Sequence, residues 1–591
     1  MESMNRNMTP AAILAQAVSA VQAEGARLRE EFYAPHGPRG RRGSCPIDRE
    51  IEERLQPALQ ALFPAQFCGE ECADKPGSAP GWVWLVDPHD GTFEYTSGRR
   101  GSSISVALVR EGVPVLGIVH APDSPDRGPD TIAWAEGAGP IVRNGKPVQA
   151  RLTTRVLEPG AFVWATASSA FKPETWSRAV KPARYIAMPS IAYRMARVAA
   201  GDGVATVSTH SLNEYDIAAG MALIAAAGGV CLDREGREIR LEGSSTRRVS
   251  GCFAGAPHAA RALATFDWPS LDAEPRREAR LVFSFPRKPF DDRLSRAQAV
   301  LLGHVIGDSL GALVERKPAA EIARLYPEGV RELADGGVYK TLAGQPTDDS
   351  EMALTLARLL VREKKYEAAK ALDAYRAWLT SRPVDVAMTN ERGLLGAAAP
   401  ESESNGSLMR VAPIGVWAAG DPALAARTAR DDSALTHVNP VCLDACAAYC
   451  AAIAAGVAGG GIEGMFEAAL AHSKGPAHEA IKRAAKAHAP ADYFTHPSWV
   501  VVALQNAFFC LRTLSLEEAL VRTVGCGGDT DTNAAVTGAL LGACYGRGQV
   551  PARWILAVLA CRPLAECGAL RPRPIEYWPD DILELAEALL P

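Results

Sequence analysis

Trp84-Leu85-Val86-Asp87-Pro88-His89-Asp90-Gly91-Thr92 and, far downstream, Gly527-Gly528-Asp529-Thr530-Asp531-Thr532 are the stretches that decide how this chain reads. The first is a buried-strand run that reaches Asp87 and folds into a tight turn, which Pro88 and Gly91 both favour. The turn brings Asp90 back beside Asp87. Two carboxylates at i and i+3 across a turn can bridge metal ions about 4 Å apart, with a backbone carbonyl between them as a further ligand. Working outward, Glu70 in Gly69-Glu70-Glu71 brings a third carboxylate from an upstream loop. Asp216 opens an apolar helix, where the helix dipole tolerates its charge. In the second stretch the glycines free the backbone to approach a ligand, and Asp529, Asp531 and Thr532 open a helix. Thr347-Asp348-Asp349 opens another, with Gly307-Asp308 and Glu315 upstream. Either helix start alone reads as a cap. Together their hydroxyl and carboxylate oxygens suit a hard cation. Packing acids this densely is unfavourable unless cations sit between them, so each half of the chain reads as a two-metal site.

At 591 residues the chain exceeds what one hydrophobic core supports, and two to four domains are expected. Hydrophobic content of 48% and charged content of 22% place it among globular proteins. A net charge of -5 gives no general polyanion-binding surface, so no nucleic acid and no membrane is expected as partner. Thirteen Cys without tight paired spacing suit free thiols and a cytoplasmic location. Cys442, Cys446 and Cys450 share one helix face and read as buried small residues, with a soft-metal site as the alternative. The N-terminus lacks a charged-then-apolar leader pattern. The most apolar stretch, 445–462, is rich in Ala and Gly and reads as a close-packed buried helix rather than a membrane span.

The first half mixes element types. Residues 10–33 and the Ile51, Leu55, Leu59, Leu62 series have helical spacing. Val83 to Val86 is a strand that stops at Asp87. Ser103 to Val109 and Val115 to Val119 flank Arg110-Glu111-Gly112 as a hairpin, and Ile217 to Ala227 is a helix closed by Gly228-Gly229. A charged, proline-punctuated segment, 266–291, reads as a linker. Beyond it nearly every periodic segment is helical: 294–315, 350–363, 365–380, 440–456, 462–473, 498–511, 516–523, 531–545 and 553–561. The expected organisation is therefore multidomain: an N-terminal α+β domain over 1–265, the linker, and an all-α domain over 292–591.

Gly-Glu-Glu, Trp-Leu-Val-Asp-Pro-His-Asp-Gly-Thr and Glu-Tyr-Asp-Ile-Ala-Ala-Gly, in that order over residues 10–262, resemble the inositol monophosphatase superfamily, a layered sugar-phosphatase fold. Asp-Gly-Thr-Phe-Glu-Tyr followed by Gly-Val-Pro-Val-Leu-Gly-Ile-Val-His-Ala-Pro is most similar to its 3'(2'),5'-bisphosphate nucleotidase branch. The resemblance implies that Glu70, Asp87, Asp90, Asp216 and the His89 carbonyl hold Mg2+. Asp48 and Thr92 would orient and deprotonate the attacking water, and the Gly91 and Thr92 amides would face the phosphate. The branch's usual Asp-Gly-Thr-Lys-Glu-Phe is Asp-Gly-Thr-Phe-Glu-Tyr here, and the usual Val-Thr before Asp48 is absent.

The second half resembles the ADP-ribosylglycohydrolase family, and within it the bacterial branch containing dinitrogenase reductase-activating glycohydrolase. Five motifs carry this: Gly303-His304-Val305-Ile306-Gly307-Asp308-Ser309-Leu310-Gly311, Thr347-Asp348-Asp349-Ser350, Ser404-Asn405-Gly406-Ser407-Leu408-Met409-Arg410, Leu435-Thr436-His437 and the 527–532 stretch. The resemblance implies two Mg2+ ions, with Mn2+ as the alternative. Thr347, Asp348, Asp349 and Asp531 would hold one, and Asp529, Asp531 and Thr532 the other. Glu315 is the expected active-site glutamate. Asn405, Gly406, Ser407 and Met409 would contact ADP-ribose. His437 stays open between a ligand contact and a core histidine, and a second histidine common in the family is Asn439 here.

The expected protein is a bifunctional hydrolase with two or more ions in each domain. One domain would act on a small phosphorylated metabolite such as a 3'- or 2'-phosphorylated adenosine nucleotide. The other would act on an ADP-ribosylated protein or small-molecule adduct, at arginine or a related acceptor. The alternative is that only one domain is catalytic and the other binds a ligand or serves as a scaffold. Oligomeric state is open, a homodimer through the N-terminal domain being one option.

Overall fold

The strand built by Ser103–Arg110 is buried along nearly its whole length, Ser103 and Ser105 included, because helices cover both faces of its sheet. The computed structural model describes residues 9–41, 43–268 and 285–591. The chain divides into two units, Met1–Pro289 and Phe290–Pro591.

In the first unit a seven-stranded sheet runs in chain order: Gln66–Gly69, Trp82–Asp90, Ser103–Arg110, Val113–Ser124, Gly128–Ala135, Val142–Arg143 and Lys146–Pro147. Its first pair is parallel and the others are antiparallel. The helices Pro10–Phe32 and Pro46–Leu62 pack against it. The helices Ile191–Ala199 and Glu214–Ala226 contact both this sheet and a five-stranded sheet, in the order Val230–Leu232, Arg248–Gly255, Ala205–Asn213, Phe162–Thr166, Arg184–Met188. Such alternation of helical and sheet layers lets each sheet bury both faces.

One expectation changes, and another falls largely outside the described residues. The strand does not stop at Asp87. It continues to Asp90 through a bulge, with Asp87 opposite Ser105 and Asp90 opposite Ser103. One extra residue in the bulged strand re-aims the side chains around it. The expected linker, 266–291, falls mostly on residues 269–284, outside the described residues. Its ends pack within the first unit: Trp268 is buried with its ring 4.9 Å from that of Trp176, and Phe285 lies edge-on to Phe32 at 5.8 Å.

The second unit is helical, with no named strand among its described residues. At its centre the helix Asp292–Gly311 lies along the helix Thr530–Tyr545. Their contact is backbone on backbone. A Cβ on Gly307 would come within 2.1 Å of the Ala534 carbonyl oxygen, and one on Gly311 within 2.3 Å of the Asp531 nitrogen. Pro440–Val457 packs beside this pair. Among the described residues it is the one helix long and apolar enough to cross a membrane, and 72% of that window is buried within the protein. Cys442, Cys446 and Cys450 point their thiols at the Ser404 carbonyl, Ser407 and the Val411 carbonyl. Burial raises all three thiols, Cys446 to about 11, so they serve as packing groups. The helices Ala319–Leu325, Met388–Leu394, Ala412–Trp417, Pro422–Ser433, Gly475–Ala485 and Ile582–Leu589 were not expected from periodicity.

Two candidate active sites

The bulge in the first unit sets out its acids. Asp87 is buried and accepts the His89 amide at 2.8 Å. Gly91 turns the chain at φ 99°, a left-handed conformation that favours glycine. Asp90 is fixed from the start of the helix Ile191–Ala199: its Oδ2 accepts from Ser190 Oγ at 2.6 Å and from the Ala192 amide at 2.8 Å. Asp216 forms a capping box with Asn213 and accepts its amide at 2.7 Å. Glu70 stands exposed on a loop held from beneath by Glu52, whose carboxylate accepts the Glu71 and Cys72 amides at 2.8 and 2.9 Å. Burial raises Asp87, and Glu70, Asp90 and Asp216 add to the rise. Burial also raises Asp216 and Asp90. Loss of water around the inner side of its carboxylate raises Glu70, whose residue as a whole stays exposed, to about 7.

Thr92 and Asp48 also come together. Thr92 Oγ1 donates to the His89 carbonyl at 2.7 Å and lies 3.4 Å from Asp48 Oδ2. The other oxygen of Asp48 is taken by the His89 ring, whose Nδ1 lies 2.6 Å from it. Glu52 and the His89 ring are site residues that sequence reasoning missed. The imidazole between Asp87 and Asp90 was a visible signal, read there only for its carbonyl.

In the second unit Thr347 opens a buried helix, and Asp308 arrives from the glycine-packed helix to cap it. Asp308 Oδ1 accepts the Thr347 hydroxyl at 2.9 Å, and its Oδ2 accepts the Thr347 and Ser350 amides at 3.0 and 3.2 Å. Burial raises it to about 6, against these bonds. Asp348 accepts the Ala387 amide at 3.0 Å, and Asp349 Oδ1 is buried without a hydrogen-bond partner. Across from them Glu315, Asp529 and Asp531 bring one oxygen each within 4.8 Å of one another, the only such trio among the described residues. Glu315, expected to handle protons, thus also stands inside this one group of acids, whose spacing could accommodate a metal ion. Its Oε2 accepts the Thr530 amide at 2.9 Å, and burial followed by the charge of Asp529 raises it to about 7. Thr532 is buried beside Asp531, which accepts its amide at 2.9 Å.

The expected ADP-ribose contacts fall in varied places. Asn405 donates to Asp529 Oδ2 at 3.0 Å. Ser407 is fully buried and accepts from Ser433 Oγ at 2.8 Å. Met409 is buried, its carbonyl held by His304 Nε2 at 2.5 Å. Gly406 packs against Asn390 and the His437 ring. His437 is buried, its Nε2 2.8 Å from Ser404 Oγ and its Nδ1 2.8 Å from Thr436 Oγ1, and burial lowers it to about 3. Ser404 lines a cavity of about 510 Å3 with Glu403, Thr495, His496, Pro497, Ser498 and Trp499. His437 therefore reaches the cavity through Ser404.

Both clusters fit hard cations. Their donors are oxygens, and among the described residues no Lys or Arg forms an ion pair with Glu70, Asp87, Asp90, Asp216, Asp348, Asp349, Asp529 or Asp531. Arg316 approaches Glu315 at 3.7 Å from an exposed position. Buried acids with raised affinities for protons and an unpartnered oxygen at Asp349 are what a divalent ion would satisfy.

A layered α+β unit and an all-helical unit, each with such an oxygen cluster, define a chain of two hydrolase domains. The chain belongs to the inositol monophosphatase family over residues 11–266 and to the ADP-ribosylglycohydrolase family over residues 289–590. It is 32% identical over 274 residues to an ADP-ribosyl-[dinitrogen reductase] glycohydrolase of Rhodospirillum rubrum, spanning 44% of this chain and 89% of that protein. It is 25% identical over 283 residues to an ADP-ribosylarginine hydrolase of Pseudomonas putida, 45% of this chain and 74% of that one. On the phosphatase side it is 32% identical over 197 residues to a fructose-1,6-bisphosphatase/inositol-1-monophosphatase of Thermotoga maritima, 32% of this chain and 72% of that one.

Proposed function

We propose that this chain is a Mg2+-dependent bifunctional hydrolase. Its first unit releases phosphate from a small phosphorylated metabolite, and its second cleaves the glycosidic bond of ADP-ribosylated arginine or a related acceptor. The observation that carries the reading is the buried trio Glu315, Asp529 and Asp531 beside the unpartnered oxygen of Asp349. It is joined by a second acid cluster built on an unrelated fold. Glu70, Asp87, Asp90, Asp216 and the His89 carbonyl would hold ions in the first site. Thr347, Asp348, Asp349, Asp529, Asp531, Thr532 and Glu315 would hold them in the second. Bound Mg2+ would neutralise these acids and supply positive charge to phosphoryl or ribosyl oxygens.

The chain's own groups do the rest. In the first site Thr92 sits between the His89 carbonyl and Asp48. Its hydroxyl can pass a proton from an attacking water to Asp48 while the Gly91 turn presents amides to the phosphate. In the second, Glu315 is anchored by Thr530 and stands ready to take the proton of the water that attacks the anomeric carbon. Ser407 and Met409 turn their side chains inward, so this loop would meet ADP-ribose through its backbone. Within the phosphatase family, the Asp-Gly-Thr-Phe-Glu-Tyr run and the hairpin after it support a 3'- or 2'-phosphorylated adenosine nucleotide as substrate. Fructose and inositol phosphates, named for the Thermotoga maritima relative, are the competing choice.

The test gives the full chain and Mg2+ adenosine 3',5'-bisphosphate, inositol 1-phosphate, fructose 1,6-bisphosphate and ADP-ribosylarginine, and follows free phosphate and free ADP-ribose. Release of both, abolished by chelation, is expected. Release of neither, or release indifferent to chelation, overturns the reading.

A further inference from the structure

A backbone carbonyl between Asp87 and Asp90 is available from any residue, so the imidazole of His89 is surplus to the ligand role expected of that position. What the ring does is written in its contacts. His89 is 1% exposed and Asp48 2%. The ring is clamped edge-on by Tyr95, with centroids 4.3 Å apart and planes at 89°. Tyr95 is itself fixed by donating its hydroxyl to the Leu28 carbonyl at 2.7 Å. Nδ1 lies 2.6 Å from Asp48 Oδ1, whereas Nε2 is buried with no hydrogen-bond partner. A buried N–H without an acceptor is costlier than a bare lone pair, which puts the ring hydrogen on Nδ1 and makes it the donor to the carboxylate. Asp48 sits in the first turn of the helix Pro46–Leu62, an element separate from the bulged strand. With Oδ1 held by the ring, Oδ2 is the oxygen that faces the Thr92 hydroxyl.

We propose that His89 is a positioning residue of the first site: its Nδ1–H fixes the Asp48 carboxylate so that Oδ2 is presented to Thr92. This rests on the phosphatase reading above. One residue thereby ties the proton-accepting side chain to the same bulge that carries Asp87 and Asp90. A hydrogen bond of this kind to a working side chain is typically worth about 10- to 100-fold in activity when removed. The ring does not touch substrate or the reacting atoms.

The experiment compares the full-length wild type, H89L and H89N with Mg2+, using whichever of the three phosphate esters named above the wild type hydrolyses fastest. In H89L, kcat falls about 10- to 100-fold while KM and the Mg2+ concentration for half-maximal rate stay within about twofold, because the carbonyl remains. H89N, whose side-chain N–H can occupy the place of Nδ1–H, recovers most of that loss. In proton NMR of the wild type a ring N–H signal lies far downfield, and it is absent from H89L and from D48A. Wild-type kcat in H89L overturns the proposal. So does an H89N variant as slow as H89L, or a wild type without the downfield signal. A merely structural pairing would instead lower the unfolding midpoint and leave kcat per folded molecule unmoved. If the wild type releases no phosphate from any ester, the phosphatase reading fails and the proposed role with it, while the NMR signal still reports separately whether the bond exists.

Discussion

The two acid clusters solve one electrostatic problem with different scaffolding. In the first unit the central pair is local in sequence: Asp87 and Asp90 share one bulged strand, and Asp48, Glu70 and Asp216 are brought to it by separate elements. In the second, the acids stand at the starts of two buried helices, Asp348–Glu363 and Thr530–Tyr545, with Glu315 just beyond the end of a third, Asp292–Gly311. A bulge aims side chains by kinking a ladder. Helix starts aim them by the macrodipole and by free amides, so an acid such as Asp308 can serve purely as a cap. A site made by a bulge is therefore sensitive to what holds the kink. A site made by helix ends is sensitive to how the helices pack.

The largest effects come from removing a central acid on either side. Asp531→Ala should lower ADP-ribose release by at least about two to three orders of magnitude and leave phosphate release unchanged. Asp90→Asn should do the converse, and equal loss of both activities in a folded variant would break the idea of two separate sites. Gly307→Val comes next. It forces side-chain atoms into the Ala534 carbonyl and should destabilise the helical unit by about 1–3 kcal/mol or more. Calorimetry should show only that unit's transition lowered, with ADP-ribose release reduced and phosphate release kept.

Proton linkage separates the units further. Burial and the charge of Asp529 raise Glu315 from 4.5 to about 7, so the folded chain binds this proton more tightly than the unfolded one. Without cations the helical unit should lose stability as pH rises through that window, by on the order of 2–4 °C per kcal/mol, and Mg2+ should flatten the slope. The first unit has opposing groups. Against the cost of burial, Arg197 and Arg127 hold Asp126 well below the carboxylate range and hold Asp202 down as well. That contribution is present above the ordinary carboxylate range and is lost as pH falls below it. The first unit's unfolding midpoint should therefore drop on the acid side, where Glu315 costs the helical unit nothing. As pH rises, Glu70, raised to about 7, should lower the first unit as Glu315 lowers the second. An equal loss of midpoint in both units on the acid side would erase the contrast. The smallest effect belongs to Phe93, exposed at 57% beside the first site where the nucleotidase branch has Lys. Phe93→Lys should lower KM for adenosine 3',5'-bisphosphate less than about fivefold, since an exposed charge contributes about 1 kcal/mol or less. A larger gain would mean that the position is more enclosed than its exposure indicates.

What was legible in the sequence follows the same division. The strand to Asp87, the hairpin and the long helices were legible because their periodicity spans many residues. The bulge was not, because a one-residue register shift depends on Ser103 and Ser105 across the ladder. Short helices such as Met388–Leu394 have too few turns to show a pattern and are fixed by tertiary packing. The acids were legible as types at fixed spacings. Their partners were not: Asp308 meets Thr347 and His89 meets Asp48 only once the chain has folded. Nor could spacing tell that Ser407 turns inward, since a serine in a Gly-rich loop reads the same whether it faces Ser433 or a ligand.

The backbone-on-backbone contact of Asp292–Gly311 with Thr530–Tyr545 has a consequence for how the protein is made. Synthesis runs from the N-terminus, and domains generally fold as units while it proceeds. Every acid of the first site has been translated once Asp216 is in place. The glycine face of Asp292–Gly311, by contrast, has nothing to close on until residues beyond 530 leave the ribosome. On a nascent chain the first site can be complete while this helix still waits for its counterpart. A ribosome stalled between the two helices would thus carry a finished phosphatase unit and an unclosed helical core, the form on which chaperones and proteases would act.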